Sequence, residues 1–273
     1  MALDNFRDKT TVITGAASGI GLSLALALAK RGARLMLADL DAQALDAAAG
    51  QVRALQSTDG LVAVLPTDVS QREPVQHLAE QAFQRFGAVH LLCNNAGVAV
   101  GGPLQSVRIQ DWHWVLGVNL WGVIHGIEAF VARMIQQSGP SHVVNTASMA
   151  GLIASTGMGI YNTSKAAVVS LSETLHRDLK GTGVGVSVLC PMGVKTRITE
   201  SERSRPEWAT APGRSEPPPP LVGRWIDPDG VAERVLQAVS NGELYILTHY
   251  EGREYWERRA ARITQGFPLP PEE

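Results

Sequence analysis

Thr11-Val12-Ile13-Thr14-Gly15-Ala16-Ala17-Ser18-Gly19-Ile20-Gly21 decides how the rest of the chain is read. Its first four residues are β-branched and suit a short strand. Three glycines then fall within seven positions, and Leu22 to Lys30 is an alanine- and leucine-rich stretch of strong helix formers. Strand, glycine turn and helix in that order build a cradle for phosphate. The glycines let backbone approach the ligand, and the helix start offers it unpaired N–H groups. The spacing is G-x-x-x-G-x-G, so the match to a dinucleotide fingerprint rests on the flanking strand and helix. A glycine turn with no ligand is the plainer alternative.

Working outward, Arg34 to Ala38 is a second apolar run, and it ends in Asp39. A carboxylate at that distance from the glycine turn accepts hydrogen bonds from both ribose hydroxyls and repels a 2′-phosphate. Leu40 stands where a cation would receive that phosphate, and Ala17 and Ser18 are uncharged. The pattern points to NAD over NADP. A helix-capping aspartate is the bland reading.

The remaining elements alternate. A helix is expected from about Asp41 to Leu55, and a third strand from Leu61 to Leu65 leads into Thr67-Asp68-Val69. A helix over 71–86 precedes a fourth strand, Val89 to Cys93, which runs into Asn94-Asn95-Ala96-Gly97. One continuous helical tract spans Ser106 to Gln137. Ser141 to Ala147 is the fifth strand, and a further helix continues to about Lys180. Val184 to Cys190 is the sixth strand, stopped by Pro191. Asp227-Pro228-Asp229 opens a helix by capping and N1 proline. Glu243 to Leu247 is a seventh strand, followed by a charged helix over 250–264. Near-continuous apolar strands alternating with helices predict an α/β protein: one Rossmann-type domain over 1–273, with a doubly wound, parallel, seven-stranded sheet and helices on both faces.

Ser148 to Lys165 carries the candidate chemistry. Tyr161 and Lys165 are four residues apart and share a helix face. An ammonium one turn from a phenol favours phenolate, and should pull the tyrosine down from about 10 towards neutrality. Ser148, at a strand end, can hydrogen-bond the same substrate oxygen. Together they form a site for moving a proton on or off an alcohol. Tyrosine and lysine at this spacing are also common on solvated helix faces.

Composition removes other classes. The 273 residues carry a formal net charge of -2, with 45% hydrophobic and 18% charged residues. That balance leaves no electrostatic footprint for nucleic acid or an anionic membrane. No membrane span is expected, since no apolar run is read as approaching the roughly 20 residues one needs, and Met1 to Lys9 lacks a signal-peptide core. Cys93 and Cys190 lie in or beside apolar runs, as buried thiols of a reducing compartment do, so a cytoplasmic protein is expected. His113, His125, His142 and His176 have no ligand spacing and read as surface or packing residues, so no metal is expected. Trp112, Trp114 and Trp121 read as packing or subunit contacts.

Taken together, Thr14-Gly15-x-x-x-Gly19-Ile20-Gly21, Asp68, Asn94-Asn95-Ala96-Gly97, Asn119, Ser148 and Tyr161-x-x-x-Lys165, in this order, resemble the short-chain dehydrogenase/reductase family along essentially the whole chain. Pro191, Gly193 and Thr196 resemble the segment that closes over the nicotinamide, although Met192 separates a proline and glycine that are often adjacent. The resemblance implies that Tyr161 is the acid/base, that Lys165 tunes it and holds the nicotinamide ribose, that Ser148 orients the substrate oxygen, and that Asn119 holds a water linking the lysine to solvent. For Asn119 the bland reading is a polar residue capping helix neighbours. It further implies cofactor contacts from Gly15, Ser18, Gly19, Ile20, Asp39, Asp68, Val69, Asn95, Ala96, Gly97, Pro191, Gly193, Val194 and Thr196, while Asn94 braces the sheet. Homodimers or homotetramers through the helices near 106–137 and 157–180 are implied as well.

Thr196 to Trp225 is the least regular part of the chain, and a substrate lid is expected around 191–226, with Pro217 to Pro220 stiffening it; a disordered linker with no substrate role is the alternative. Candidate substrate contacts are Ser148, Met149, Met158, Tyr161, Met192 and Ile198, with Val98 and Trp208; such a pocket suits a bulky hydrophobic or aryl substrate. Val115 to Gly126 and Leu244-Tyr245-Ile246 resemble the bacterial Cα-alcohol dehydrogenases of lignin aryl-ether breakdown. The expected activity is an NAD-dependent interconversion of a secondary alcohol and a ketone (EC 1.1.1.-). An NADP-dependent biosynthetic ketoreductase and a catalytically silent NAD sensor or scaffold are the competing readings.

Overall fold

The structure, a computed structural model, describes residues 3–56, 60–209 and 223–268. Seven parallel strands form one sheet in the order β3-β2-β1-β4-β5-β6-β7. They are β1 (Thr10–Thr14), β2 (Arg34–Asp39), β3 (Val62–Pro66), β4 (Leu91–Asn94), β5 (Ser141–Thr146), β6 (Val184–Cys190) and β7 (Tyr245–Leu247). The helices between them are α1 (Gly19–Ala29), α2 (Ala42–Arg53), α3 (Arg72–Phe86), α4 (Ile109–Leu116), α5 (Gly122–Gln136), α6 (Met149–Leu152), α7 (Gly159–Asp178), α8 (Pro228–Asn241) and α9 (Gly252–Thr264).

Strand side chains alternate between two cores, as a period of two requires. Ile13, Leu35, Leu37, Leu91 and Cys93 face a core completed by Leu24 and Leu28 of α1, Leu45 of α2 and Val235 of α8. Val12, Met36, Ala38, Leu92 and Val143 face the other, completed by Leu78 and Phe83 of α3 and Phe130 and Met134 of α5. Both faces of the sheet are therefore covered, which is why the strands read as unbroken apolar runs. Cys93 and Cys190 are free and buried.

Three departures from the sequence reading have local causes. The tract expected as one helix from Ser106 to Gln137 starts later and changes pitch. A 3₁₀ turn at Leu104–Ser106 precedes α4, and a π-helical turn, Gly117–Trp121, separates α4 from α5. Gly117 and Gly122 flank that turn, where Ser70 and Val69 press so closely that a Cβ at Gly122 would lie 2.9 Å from Val69. Residues 109–136 also form a continuous stretch whose length and mean hydropathy of 1.5 match a membrane span, contrary to the expectation that none does. Val115, Val123, Phe130, Val131 and Met134 are buried there, as in a core helix. Finally, Asp227 precedes α8 with Pro228 at its first position, yet its side chain makes no cap and pairs instead with Lys195 at 3.0 Å.

Residues 197–209 are more regular than expected, with 3₁₀ turns at Arg197–Ser204 and Glu207–Ala209. The proline run Pro217 to Pro220 lies outside the described residues.

Candidate active site

The chain turns from β1 towards β2 on one side and crosses to β4 on the other, so a crevice opens at the carboxyl ends of these strands. A cleft of about 440 Å³ occupies it, lined by Gly15, Ser18, Gly19, Ile20, Asp39, Asp68, Val69, Asn95, Ala96, Gly97, Pro191, Val194 and Thr196. Gly193 alone among the expected cofactor contacts does not line it. That residue backs onto the other end of the lid: a Cβ there would lie 3.0 Å from the Arg224 carbonyl and 3.5 Å from the Trp225 ring.

At one end of the cleft the surface is made by backbone. Gly15 has φ +66°, and a Cβ on it would stand 2.9 Å from Ala96. A Cβ on Gly21 would meet the Gly15 carbonyl at 2.1 Å, so only glycine lets the turn fold this tightly. Ser18 precedes α1 with extended backbone and no side-chain cap, which leaves the first-turn N–H groups to other acceptors. Asp39 reaches back over this turn. Its Oδ2 accepts from the Ala17 N–H at 3.0 Å and its Oδ1 from the Asp41 N–H at 3.2 Å. Helix capping, the bland reading of Asp39, falls to Asp41, whose Oδ1 accepts from Ala44 N–H.

Asn95 and Asn94 divide two tasks. Asn95 donates to the carbonyls of Thr14 and Gly15 at 3.0 and 3.3 Å, locking the glycine turn to β4. Asn94 donates to Asn145, and Asn145 donates to Ser172, so a polar chain crosses from β4 through β5 to α7.

Ser148, Tyr161 and Lys165 all line the cleft. Ser148 follows β5 and donates to the Pro191 carbonyl at 3.2 Å. Lys165 is buried and donates from Nζ to the Thr146 carbonyl at 2.8 Å. Its Nζ lies 5.6 Å from the Tyr161 ring centre. The expected depression of the Tyr161 phenol is not met. Burial pushes it up to about 12, against a lowering hydrogen bond from Ser148. Desolvation penalises phenolate, and the ammonium points its hydrogen bond at Thr146 and not at the phenol. Burial likewise pushes Lys165 down to about 8.

Asn119 sits in the π-helical turn and is wholly buried. Its Oδ1 accepts from Val98 N–H at 2.8 Å, while Nδ2 donates to the Val98 carbonyl and to Ser164 at 2.9 and 3.0 Å. The carboxamide is committed to the loop after β4 and to α7. That loop carries Gly97, where a Cβ would lie 3.5 Å from Lys165 Nζ.

The other end of the cleft is roofed by side chains: Met158, Met192, Ile198, Trp208, Trp225 and Trp114. Trp114, expected as packing or a subunit contact, lines the cleft as well as being buried. Met149 does not line it. The side chain turns under α9, where a Cβ on Gly252 would meet Met149 at 2.7 Å, and packs with Val168 and Val188. The roof is tied down at two places. Ala99 N–H donates to Ser201 at 2.9 Å. Arg205 pairs with buried Asp111 of α4 at 2.6 Å and lies 4.2 Å above the Trp114 ring, while Arg108, just before that helix, holds Asp111 at 2.9 Å. Burial alone would raise the Asp111 carboxyl, but the two guanidinium groups outweigh it and hold it below the usual carboxylate range. His113, read from sequence as a packing or surface residue, also lines the cleft.

A family profile described as short chain dehydrogenase matches residues 9–207. The chain belongs to the short-chain dehydrogenase/reductase family. It is 37% identical over 251 residues to 1-deoxy-11-beta-hydroxypentalenate dehydrogenase of Streptomyces avermitilis, covering 91% of this chain and 87% of that protein. It is 34% identical over 269 residues to the C alpha-dehydrogenase of Sphingobium sp. strain SYK-6, covering 96% and 87%. The resemblance to Cα-alcohol dehydrogenases drawn from Val115 to Gly126 thus extends along the chain. Among solved structures, a short-chain dehydrogenase/reductase from Burkholderia phymatum in complex with NAD superposes with a TM-score of 0.89 at 40% identity, covering 98% of this chain and 99% of that one.

Trp225, which lines the cleft, and Asp111, which anchors Arg205, carry no local sequence pattern that marks them, and His249 stands in no motif.

Proposed function

We propose that this protein is an NAD-dependent oxidoreductase that interconverts a secondary alcohol and a ketone on a bulky hydrophobic or aryl substrate. The observation that carries the reading is that Ser148, Tyr161 and Lys165 line the same cleft as the backbone of the glycine turn and the side chains of the roof. The residues present fit a dinucleotide. The glycine turn has space only for backbone against Ala96, α1 starts without a side-chain cap, and Asp39 is held over that turn by Ala17 N–H. A carboxylate there supports NAD over NADP. Bound there, NAD supplies the hydride acceptor and, when oxidised, a positive charge near the phenol.

In this reading Tyr161 takes the hydroxyl proton of the alcohol, and Ser148 holds the same oxygen from the β5 side. Lys165 orients the ribose and supplies a cation on the helix turn below the phenol. Gly15, Ser18, Gly19 and Ile20 bind the pyrophosphate; Asp68 and Val69 flank the adenine; Asn95, Ala96, Gly97, Pro191, Val194 and Thr196 hold the nicotinamide half. Asn119 keeps the Val98 loop and α7 in register with Lys165. Three tryptophans and two methionines over the substrate end support a large apolar substrate, and the named relatives include dehydrogenases of a hydroxypentalenate and of a Cα position. We take the working protein to be a cytoplasmic homodimer or homotetramer; exposed Trp121 and Ile135 on the α4–α5 tract support a subunit contact there.

The deciding experiment is absorbance at the reduced-nicotinamide band. The protein is mixed with NAD or NADP and a panel of secondary alcohols running from 2-propanol to 1-phenylethanol and diaryl carbinols. Turnover with NAD that grows with the size of the alcohol is expected. Turnover confined to NADP, or to small alcohols, would overturn the corresponding half of the reading.

A further inference from the structure

We propose that His249 is a positioning residue for the chemistry at Tyr161 and Ser148, acting through the neck of the roof; the proposal rests on the alcohol/ketone reading above. His249 lies between β7 and α9 and is 5% exposed. Its Nε2 is 3.2 Å from the Gly193 carbonyl and 3.0 Å from the Arg224 carbonyl. Carbonyls only accept, so Nε2 carries a proton and donates to both. On the opposite side of the ring, Nδ1 lies 2.7 Å from the Thr248 hydroxyl.

The two carbonyls belong to the two ends of the roof. There the chain leaving β6 runs beside the chain entering α8, with Val194 bridged to Ile226. Ile226 N–H donates to Gly193 and Lys195 N–H to Ile226, each at 3.0 Å. Two such bonds make a ladder too short to persist on its own. His249 adds a tie from a third segment, and that segment is fixed in its turn. Ile246 of β7 is fully buried in the sheet, and Gly252 at the start of α9 rests on Met149. Gly193 has two lone pairs on its carbonyl, and Ile226 N–H and His249 Nε2–H use both.

The neck leads directly to the reacting groups. Two residues before Gly193, the Pro191 carbonyl accepts from Ser148 Oγ at 3.2 Å and from Met149 N–H at 2.9 Å. The short segment Pro191 to Val194 is thus held at one end by Ser148 and at the other by His249, and between them it presents Met192 and Val194 to the cleft. Releasing the His249 end frees this segment to shift, and the Pro191 carbonyl, against which Ser148 Oγ and Met149 N–H are set, shifts with it.

His249→Gln keeps an N–H donor at the reach of Nε2, while His249→Met keeps the volume and removes the donor. Amide hydrogen exchange at Lys195 and Ile226 in the full-length protein should quicken about 5- to 10-fold in the methionine variant, the size expected for one lost hydrogen bond, and stay within about twofold of the parent in the glutamine variant. With NAD and 1-phenylethanol, kcat should fall about 10- to 100-fold in the methionine variant, as misplacement of a catalytic group does. Its KM for NAD should stay within about twofold, and glutamine should rescue kcat. Equal exchange and equal kcat in the two variants would make His249 a packing residue and overturn the proposal. So would free exchange of both amides in the parent protein, a result that needs no variant to fold. If the parent does not oxidise 1-phenylethanol, the substrate reading fails while the exchange comparison still decides the tie.

Discussion

The two ends of the cleft are built by different means. The end at Gly15 to Gly21 is backbone: glycines packed against Ala96, N–H groups at the start of α1, and one carboxylate held by a neighbouring amide. The end under the roof is side chain: Trp114, Trp208, Trp225, Met158 and Met192, held in place by Arg205 on Asp111 and by His249 on two carbonyls. A surface made of backbone admits one kind of ligand, because no substitution enlarges it without breaking the turn. A surface made of side chains changes its selectivity by substitution while the fold beneath it is untouched. Ser148, Tyr161 and Lys165 line the same cleft, and in the function we propose they act on whatever the roof selects.

This contrast can be broken at several points. The largest effect should come at the junction. Tyr161→Phe should cut oxidation by about 10³-fold, within the range for removing a general acid/base, with NAD affinity by fluorescence titration unchanged. Normal turnover would detach the phenol from the chemistry.

Next comes a test of whether the two ends share one cooperative sheet. Burial pushes His142 and His90 down to about 4. His142 contacts Ser187 at 2.7 Å, and His90 accepts from Thr10 N–H through Nδ1 at 3.1 Å, a bond that needs an unprotonated nitrogen. The unfolded chain binds protons on these rings below about pH 6.5, while the folded protein refuses them until about 4. Stability is therefore complete above pH 6.5 and is lost as pH falls towards 4, by up to roughly 3 kcal/mol for the more buried His142. Thermal unfolding followed at both ends should shift together across that window. A flat midpoint, or two separate transitions, would contradict the single unit.

Asp39→Ala should lower the NAD-to-NADP ratio of kcat/KM by about 10- to 100-fold, as loss of hydrogen bonds to a charged group predicts. An unchanged ratio would remove Asp39 from the ribose. The smallest effect should come from the roof. Trp208→Ala, at a half-exposed position, should raise KM for 1-phenylethanol about fivefold and leave 2-propanol unaffected, in line with modest apolar contact. An equal effect on both alcohols would mean that Trp208 holds the fold and does not select the substrate.

Legibility from sequence follows the same division. The alternation of strands and helices and the glycine turn could be read because their signals are local: strands buried on both faces are apolar throughout, and Gly15, Gly19 and Gly21 fall where one strand gives way to one helix. Asp39 could be singled out because that expectation depends only on its distance from the glycine turn. The π-helical turn could not, since Gly117 and Gly122 leave the apolar period of α4 and α5 nearly intact. The roof's fastenings could not either. Arg205 meets Asp111 across 94 residues, and His249 meets Gly193 across 56. Nothing in the neighbourhood of either residue announces its partner. The tyrosine misled for a different reason: helical spacing gives the direction of a neighbouring charge but says nothing of desolvation, which here dominates.

The register of β1 against β4 has a consequence for how the molecule is assembled. Thr11 lies beside Leu91, 80 residues later in the chain. A chain emerging from synthesis can close β1, β2 and β3 on local crossovers, but the inner edge of β1 then waits for a partner with its N–H and C=O groups unpaired. The cleft lies along that seam, so its walls come together only when the two halves of the sheet join. A nucleotide bound across Gly15 and Ala96, as we propose, would bind only the joined sheet and so would stabilise this joint.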